Sequence, residues 1–594
     1  FNWVFGAGTS AYVWSVGKLL RFKLVTLVLY TILVIVTYVV FIRAPVGFVP
    51  QQDQGRLLVS IQLPDSASLE RTEAAVAQAS EIALHTPGVA HAVGIAGMSF
   101  VLRTTAPNFA SMFLVLDPFD KRRDPALRDT AIMARLRAEW ARKIKDAKLT
   151  VFGPSPVPGV GAAGGFKVMV EDCGDLGLTA LQQQTDNLVR KLQQDVPGLV
   201  GVTSVFRSKA PQLFMNINRL KAATLGVSLH DVNQTLDIFL GSLYVNSFNK
   251  YGRHWQVVVQ ADGNYRNQIA DLNLFQVRNK RGEMVPLGTL ATLPEISGAA
   301  DVTRYNLYTA AAITGNLQTG FSSGDAIKAV ERLANETLPL SMKADWTELM
   351  FMQKRAGNTS IYVFGLSVVC VFLALAALYE SWSLPLAVIL VVPLCLLWSV
   401  AGVLLTNRDV NIFVQIGLIV LVALACKNAI LVVEFAQQLH EKKGMPRLEA
   451  TLEASRLRLR PILMTSFAFV FGVIPLVIAS GAGAEMRRSL GTAVFSGMLG
   501  VTIFGIFLTP VFFYVIEGLS ESEFFTRPSV RRAGSVIATA LLGATVGLLL
   551  GALDLVQSGW AALVGAAAGG LVMVALLQVT KLRDREAKPA NSSK

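Results

Sequence analysis

The chain has 594 residues, 52% of them hydrophobic, a mean hydropathy of +0.48 and a formal net charge of +13. Several apolar runs are long enough to cross a bilayer, which excludes a simple water-soluble globule and points to a polytopic membrane protein with room for a large extramembrane part. The positive charge does not read as nucleic-acid binding, because the basic residues gather in short segments that share one side of a membrane, an orientation signal.

In chain order, residues 1–22 mix aromatic and apolar positions with Lys18 and Arg21 and predict a cytoplasmic interfacial helix leading into a first transmembrane helix at 23–42. From 43 to 357 no spanning run occurs. A strand, helix, strand theme repeats there four times, beginning at RLLVSIQL, SMFLVLDPF, GFKVMVED and YTAAAITGNL. Four such units predict two ferredoxin-like (split βαβ) subdomains, one over 43–159 and one assembled from 160–207 and 297–357. The insert at 208–296 reads as a helix over RLKAATLGVSLHDVNQTLDIFL and two long strands turning at Asn249 to Gly252; its length favours a module over a decorated loop. The glycine- and proline-rich run GPSPVPGVGAAGG, 153–165, reads as a hinge.

Five more transmembrane helices are predicted within 358–518, at 359–379, 384–405, 411–436, 461–480 and 490–515, with a basic loop at 437–460. A cytoplasmic linker (519–534), an extra transmembrane hairpin (535–578) and a cytoplasmic tail (579–594) complete the pattern. In the hairpin, Gly543, Gly547 and Gly551 recur every fourth residue, a spacing that permits close helix contact. Lys442, Lys443, Arg447, Arg456, Arg458, Arg460, Arg527, Arg531 and Arg532 fall on the side of the N-terminal helix, which makes that side cytoplasmic and the large domain periplasmic. The fold class is therefore an α+β membrane protein, a polytopic helical bundle with a large periplasmic region. Cys370, Cys395 and Cys426 lie in apolar spans and only Cys173 does not, so no internal disulfide framework serves that region.

Lys427 stands inside the run NIFVQIGLIVLVALACKNAILVVEFAQQ, with Asn428 beside it. A lysine at mid-membrane costs about 2.5–3.5 kcal/mol on insertion, so it ordinarily faces protein and has a partner. Two readings stand: a snorkelling or structural lysine, and an ion relay in which its charge answers a nearby carboxylate. Thr465 lies one turn inside the span opened by Pro461, and Arg458 marks its entrance; a threonine hydroxyl there either bonds its own helix backbone or joins such a relay. In GMSFVLRTTAPNFASMF, Phe100, Phe109 and Phe113 flank a polar, proline-containing loop and serve as core aromatics or as pocket lining. Leu58, Ser60 and Gln62 alternate on one face of the first strand, and Phe166 and Val168 begin another strand. Scattered histidines give no metal spacing, and phosphate-loop, dinucleotide and nucleophile-elbow patterns are missing. These absences lead to the expectation of a protein without cofactor or metal that is not an enzyme and draws its energy from an ion gradient.

The words CKNAILVVEFA, EATLEASRLRLRPILMTSFAFVFGVIPLVIASGAGA and FLALAALYESWSLPLAVILVVPL resemble the C-terminal half of a resistance-nodulation-division (RND) efflux transporter of the hydrophobe/amphiphile multidrug branch, over about residues 1–518. The resemblance implies that the insert is a docking domain. It implies that Lys427, Thr465 and Arg458, with Asn428, belong to a proton relay whose titrating members are an aspartate pair. It also implies that Phe100 and Phe113 face a deep substrate pocket and that Leu58, Ser60, Gln62, Phe166 and Val168 line an entrance cleft. Implied partners are hydrophobic or amphiphilic small molecules, membrane lipids, two further copies in a homotrimer, a periplasmic adaptor and an outer-membrane channel, in the bacterial inner membrane. The chain departs from the family in having no span with two central acids. Since it also begins at Phe1, it reads as a piece that needs the missing N-terminal half. Rival readings are an RND exporter of metal ions or lipids and a non-transporting membrane scaffold subunit.

Overall fold

The structure, a computed structural model, describes residues 2–101, 104–161, 163–299, 301–318, 320–357 and 359–521; the expected extra hairpin and tail lie outside the described residues. Among the described residues, six helices are long and apolar enough to cross a membrane. They follow an N-terminal helix, Asn2–Arg21, whose Tyr12, Val16 and Leu20 recur every fourth residue and pack against Val432, Leu459, Ile462, Ile506 and Val511.

The first span, Lys23–Arg43, and the second, Thr359–Tyr379, flank the bundle. The third is two helices, Ser383–Ile389 and Val392–Leu405, interrupted just before Pro393, which has no N–H to continue the ladder. The first span covers this break. Tyr30 donates its hydroxyl to the Leu390 carbonyl at 2.8 Å and Thr37 reaches the Pro393 carbonyl at 3.4 Å. Beyond both ends, the Val410 N–H bonds the Pro45 carbonyl at 2.8 Å and Gly47 N–H returns to the Val410 carbonyl.

The fourth span is Ile412–Lys443 and the fifth Arg447–Val477. The loop expected at 437–460 is thus almost wholly helix. Its only break is Gly444 to Pro446, where Gly444 takes the left-handed conformation that ends the fourth span. Pro461 lies inside the fifth helix instead of opening it, because Ala450, Ala454 and Leu459 bury an apolar face upstream and hold the turn before it. The sixth span runs Ala484–Ser520, starting earlier than expected and passing through a π turn at Val501–Gly505. Pro510 leaves the Ile506 carbonyl, four residues before it, without its helical donor, and the Tyr12 hydroxyl fills the place at 2.9 Å. Gly491 and Gly497 let this span approach its neighbours closely. A Cβ at Gly491 would meet the Leu476 and Val477 backbone at 2.9 Å, and one at Gly497 would collide with Leu421.

Between the first and second spans stand two antiparallel sheets of like order. In the first, Val89–Ser99, Thr104–Leu116, Arg56–Gln62 and Lys148–Phe152 lie side by side. Helices Leu69–Leu84 and Asp129–Lys143 pack on it through a core including Val59, Ile61, Met112, Leu136 and Trp140. In the second, Leu199–Ser204, Tyr308–Leu317, Phe166–Asp172 and Met342–Trp346 repeat the order, under Leu178–Asp195 and Ser323–Thr337. The segment expected as a polar loop near Phe100 is instead a hairpin. Met98 pairs Thr105 and Ser99 pairs Thr104, and a bulge beside Gly97 takes up Pro107, which cannot donate to a ladder.

In the insert, the single helix expected from 219 splits into Arg219–Thr224 and Leu229–Leu236. Gly226 at φ +70° ends the first and Ser228 caps the second. A hairpin, Leu243–Lys250 and Arg253–Val259, turns at Tyr251 and Gly252, both with positive φ. The stretch read as a hinge is pinned at its described ends. Gln52 and Gln54 donate to the Pro156 and Ser155 carbonyls, Ser155 to Val157 and Val160, and Gly164 N–H to Gly153.

Candidate functional site

The membrane candidates separate on the fourth span. Asn428 points into the bundle and donates to the Ser466 hydroxyl on the fifth span at 3.0 Å. Lys427, one residue earlier and so about 100° around the helix, is exposed. Among the described residues it has neither ion-pair nor hydrogen-bond partner. It continues an open stripe with Ile416, Val420 and Ala423 at helical spacing. Thr465 is half-buried and gives its hydroxyl to the Ile462 carbonyl at 3.1 Å, three residues back, the local bond that was one of its two readings. Arg458 lies seven residues before Thr465, on the same face of the fifth span. Its guanidinium sits over the Phe435 ring at 4.3 Å, with a buried Nε that has no acceptor among the described residues. The partner of Asn428, Ser466, escaped the sequence reading; its signal was the adjacent hydroxyl pair in MTSF.

The second candidate lies between the sheets. Leu57, Val59 and Ile61 face the helices of the first sheet, so Leu58, Ser60 and Gln62 face the other way. Leu58 stands between Phe113 and Phe152 in register, and these join Val101 and Ala163 in a small apolar cluster. Phe100 meets Phe113 edge to face, centroids 5.1 Å apart. Next to this cluster a narrow cavity is lined by Ser60, Gln62, Thr150 and Phe152 of the first sheet and by Thr203 and Thr314 of the second. Gln62 Oε1 and Thr203 Oγ1 are buried there without a partner among the described residues, which marks polar capacity at the gap. Lys148 stands at the rim; burial, then the Arg207 guanidinium, holds its amine below the usual lysine range, with Asp186 opposing.

Phe166 and Val168 do not join this site. Both are buried in the core of the second sheet beneath its helices, Phe166 against Trp346 at 6.3 Å between centroids. The strand has its residues 166, 168 and 170 on the helix-covered side, where Phe166 and Val168 pack in the core of the second sheet in this conformation. Phe109 is likewise buried, across from Gln62. Thr150, Phe152, Thr203 and Thr314 were missed, although the alternation in KLTVF already placed Thr150 and Phe152 on one face.

Comparison with known proteins assigns residues 1–517 to the family described as AcrB/AcrD/AcrF. The chain is 38% identical over 525 residues to the toluene efflux pump membrane transporter TtgB of Pseudomonas putida, covering 88% of this chain and 49% of that protein. It is 38% identical over 519 residues to the multidrug export protein AcrF of Escherichia coli, covering 87% and 50%. The multidrug resistance protein MdtF, also of Escherichia coli, is 36% identical over 521 residues, with 87% and 50% covered. The chain spans about half the length of these curated relatives. With a family match that runs from the N-terminal helix through the sixth span, the chain belongs to the AcrB/AcrD/AcrF family of RND efflux transporters.

Proposed function

We propose that the chain is the relay-bearing C-terminal half of a proton-driven inner-membrane pump that exports hydrophobic and amphiphilic compounds through a tripartite system. The observation that carries this reading is Lys427: a charged amine on an open stripe of a spanning helix, with no partner among the described residues. Such a residue calls for a covering surface that supplies a carboxylate, which the N-terminal half with its aspartate pair provides. Protonation of that pair releases Lys427, and Asn428, bonded to Ser466, carries the resulting shift to the fifth span, where Thr465 and Arg458 complete the relay.

The two sheets, whose common strand order fits ferredoxin-like subdomains, then part or close. Leu58, Ser60, Gln62, Phe100 and Phe113 present an adaptable apolar and polar wall to substrate in the periplasm. The insert serves docking, and a homotrimer with an adaptor and an outer-membrane channel is the working form. The solvent and multidrug names of the relatives favour this over metal or lipid export and over a scaffold. The test is Lys427→Met in the complete pump. Drug resistance should vanish at normal protein levels; retained efflux removes Lys427 from the relay.

A further inference from the structure

The helix of the fourth span has 32 residues, about 48 Å, which is well beyond the roughly 30 Å of a hydrocarbon core. The surplus falls at its C-terminal end, where Gln437, Gln438, His440, Glu441, Lys442 and Lys443 follow the apolar run and project past the lipid. There the chain turns at Gly444, and the fifth span begins after Pro446. The Met445 N–H returns to the Leu439 carbonyl at 3.3 Å, so the turn is closed on the helix it leaves.

His440 is half-buried beside this turn, and both of its ring nitrogens face acceptors. Nδ1 lies 2.8 Å from the Met445 carbonyl, and Nε2 lies 3.0 Å from Glu521 Oε1 just past the end of the sixth span. Glu521 is half-exposed and its Oε2 is 3.2 Å from Arg447 Nη1, a place for an ionised carboxylate, which can only accept. A neutral imidazole has one donor and one lone pair and satisfies one of the two acceptors; the imidazolium satisfies both. The charged ring is therefore selected by donor count.

The other charges around the ring come from three helices. Glu517 of the sixth span, one turn before Glu521, has a buried Oε2 without a hydrogen-bond partner among the described residues. Arg447 of the fifth span lies over the Tyr514 ring at 5.2 Å and leaves no room for a Cβ at Gly518. On its own helix, Glu441 accepts from Gln437 at 3.1 Å, while Lys442 and Lys443 are exposed. Loss of the ring proton would set the Nε2 lone pair against a carboxylate oxygen, with no hydrogen between them. The bond to Met445 survives through Nδ1–H, and Glu521 keeps Arg447. What breaks is the tie between the fourth span and the sixth.

We propose that His440 is a proton-operated clasp. As imidazolium it ties the terminal turn of the fourth span to the end of the sixth, and on losing its proton it leaves Glu521 to Arg447 of the fifth span alone. A histidine exchanges its proton near neutrality, so the clasp is shut on the acid side and opens as pH rises. Its use in setting transport to cytoplasmic pH rests on the function proposed above; the clasp itself does not.

The test uses the complete protein in lipid membranes and nitrogen NMR of isotope-labelled histidine. One ring, its signals missing from His440→Phe, should carry two protonated nitrogens at about pH 6 and one at about pH 8.5. In Glu521→Gln its midpoint should fall by about one pH unit. Spin labels on Lys443→Cys and Ser520→Cys, with the exposed Cys173 and Cys370 replaced, should move apart over the same range. They should stand apart throughout in His440→Phe and stay close throughout in His440→Arg, a permanent cation. A ring already neutral at about pH 6, or label distances indifferent to pH, overturns the clasp. Dye efflux should vary with internal pH in the wild type and lose that dependence in His440→Phe; profiles that superimpose overturn the use in transport. If no form transports dye while the ring titrates and the labels part as stated, the clasp stands and the transport function falls.

Discussion

Tyr12 illustrates how a single hydroxyl repairs what the sequence breaks. Pro510 removes the donor for the Ile506 carbonyl in an apolar surrounding, and Tyr12 supplies another at 2.9 Å. Tyr12→Phe keeps the ring contact with Phe507 but leaves that carbonyl unpaired, at an expected cost of about 1–3 kcal/mol, seen as a lower thermal midpoint in detergent. Asp129 gives a prediction of the opposite sign. Its carboxyl titrates at about 6 in the fold, above its usual value of 3.8, so between these values the folded state holds a proton the unfolded chain has lost. Stability therefore falls as pH rises through that window and levels above it. Asp129→Asn should abolish this slope and stabilise the protein at pH 7.5 by on the order of 1–2 kcal/mol, read from midpoints at pH 5 and 7.5. At this scale the sequence was uneven. Lys427 was legible because a charge in an apolar run is an anomaly by itself. The burial of Phe166 and Val168 was not, because alternation separates the two faces of a strand without telling which one the helices cover.

Among elements, existence was easier to read than extent. The strands and helices of both sheets follow their two periods closely, since each has one face on a core. Pro461 misled for a physical reason: proline suits the first turn of a helix, where its missing N–H costs nothing, but here Leu459 and Ile462 on either side of it are packed and hold it inside a longer helix. Close approach of elements was equally hidden until neighbours were known. Gly491 sits against the backbone of Leu476 and Val477, which cannot move aside as a side chain can. Gly491→Ala should force the fifth and sixth spans apart and destabilise the bundle by roughly 1–3 kcal/mol. Denaturation in mild detergent measures it, and Gly472→Ala, with nothing within 4 Å, is the matched control.

For the molecule as a whole, the open stripe on the fourth span separates stability from function. In the chain alone, Lys427 costs about 2.5–3.5 kcal/mol of membrane insertion. Lys427→Met should therefore insert more readily by itself, measured in a translocation assay, and yet fail in the complete pump. A gain in both settings would deny the lysine its partner. A different consequence follows from the contacts between the first and third spans. They are riveted at three heights: Tyr30 to Leu390, Thr37 to Pro393, and Pro45 with Gly47 to Val410. Two rods so fastened form one beam, and the interruption in the third span is a splice within it, with no freedom to flex alone. Tethering the first span to the third with a short bifunctional reagent should therefore leave dye efflux by the complete pump unchanged, and a loss of efflux would deny that the two spans move as one.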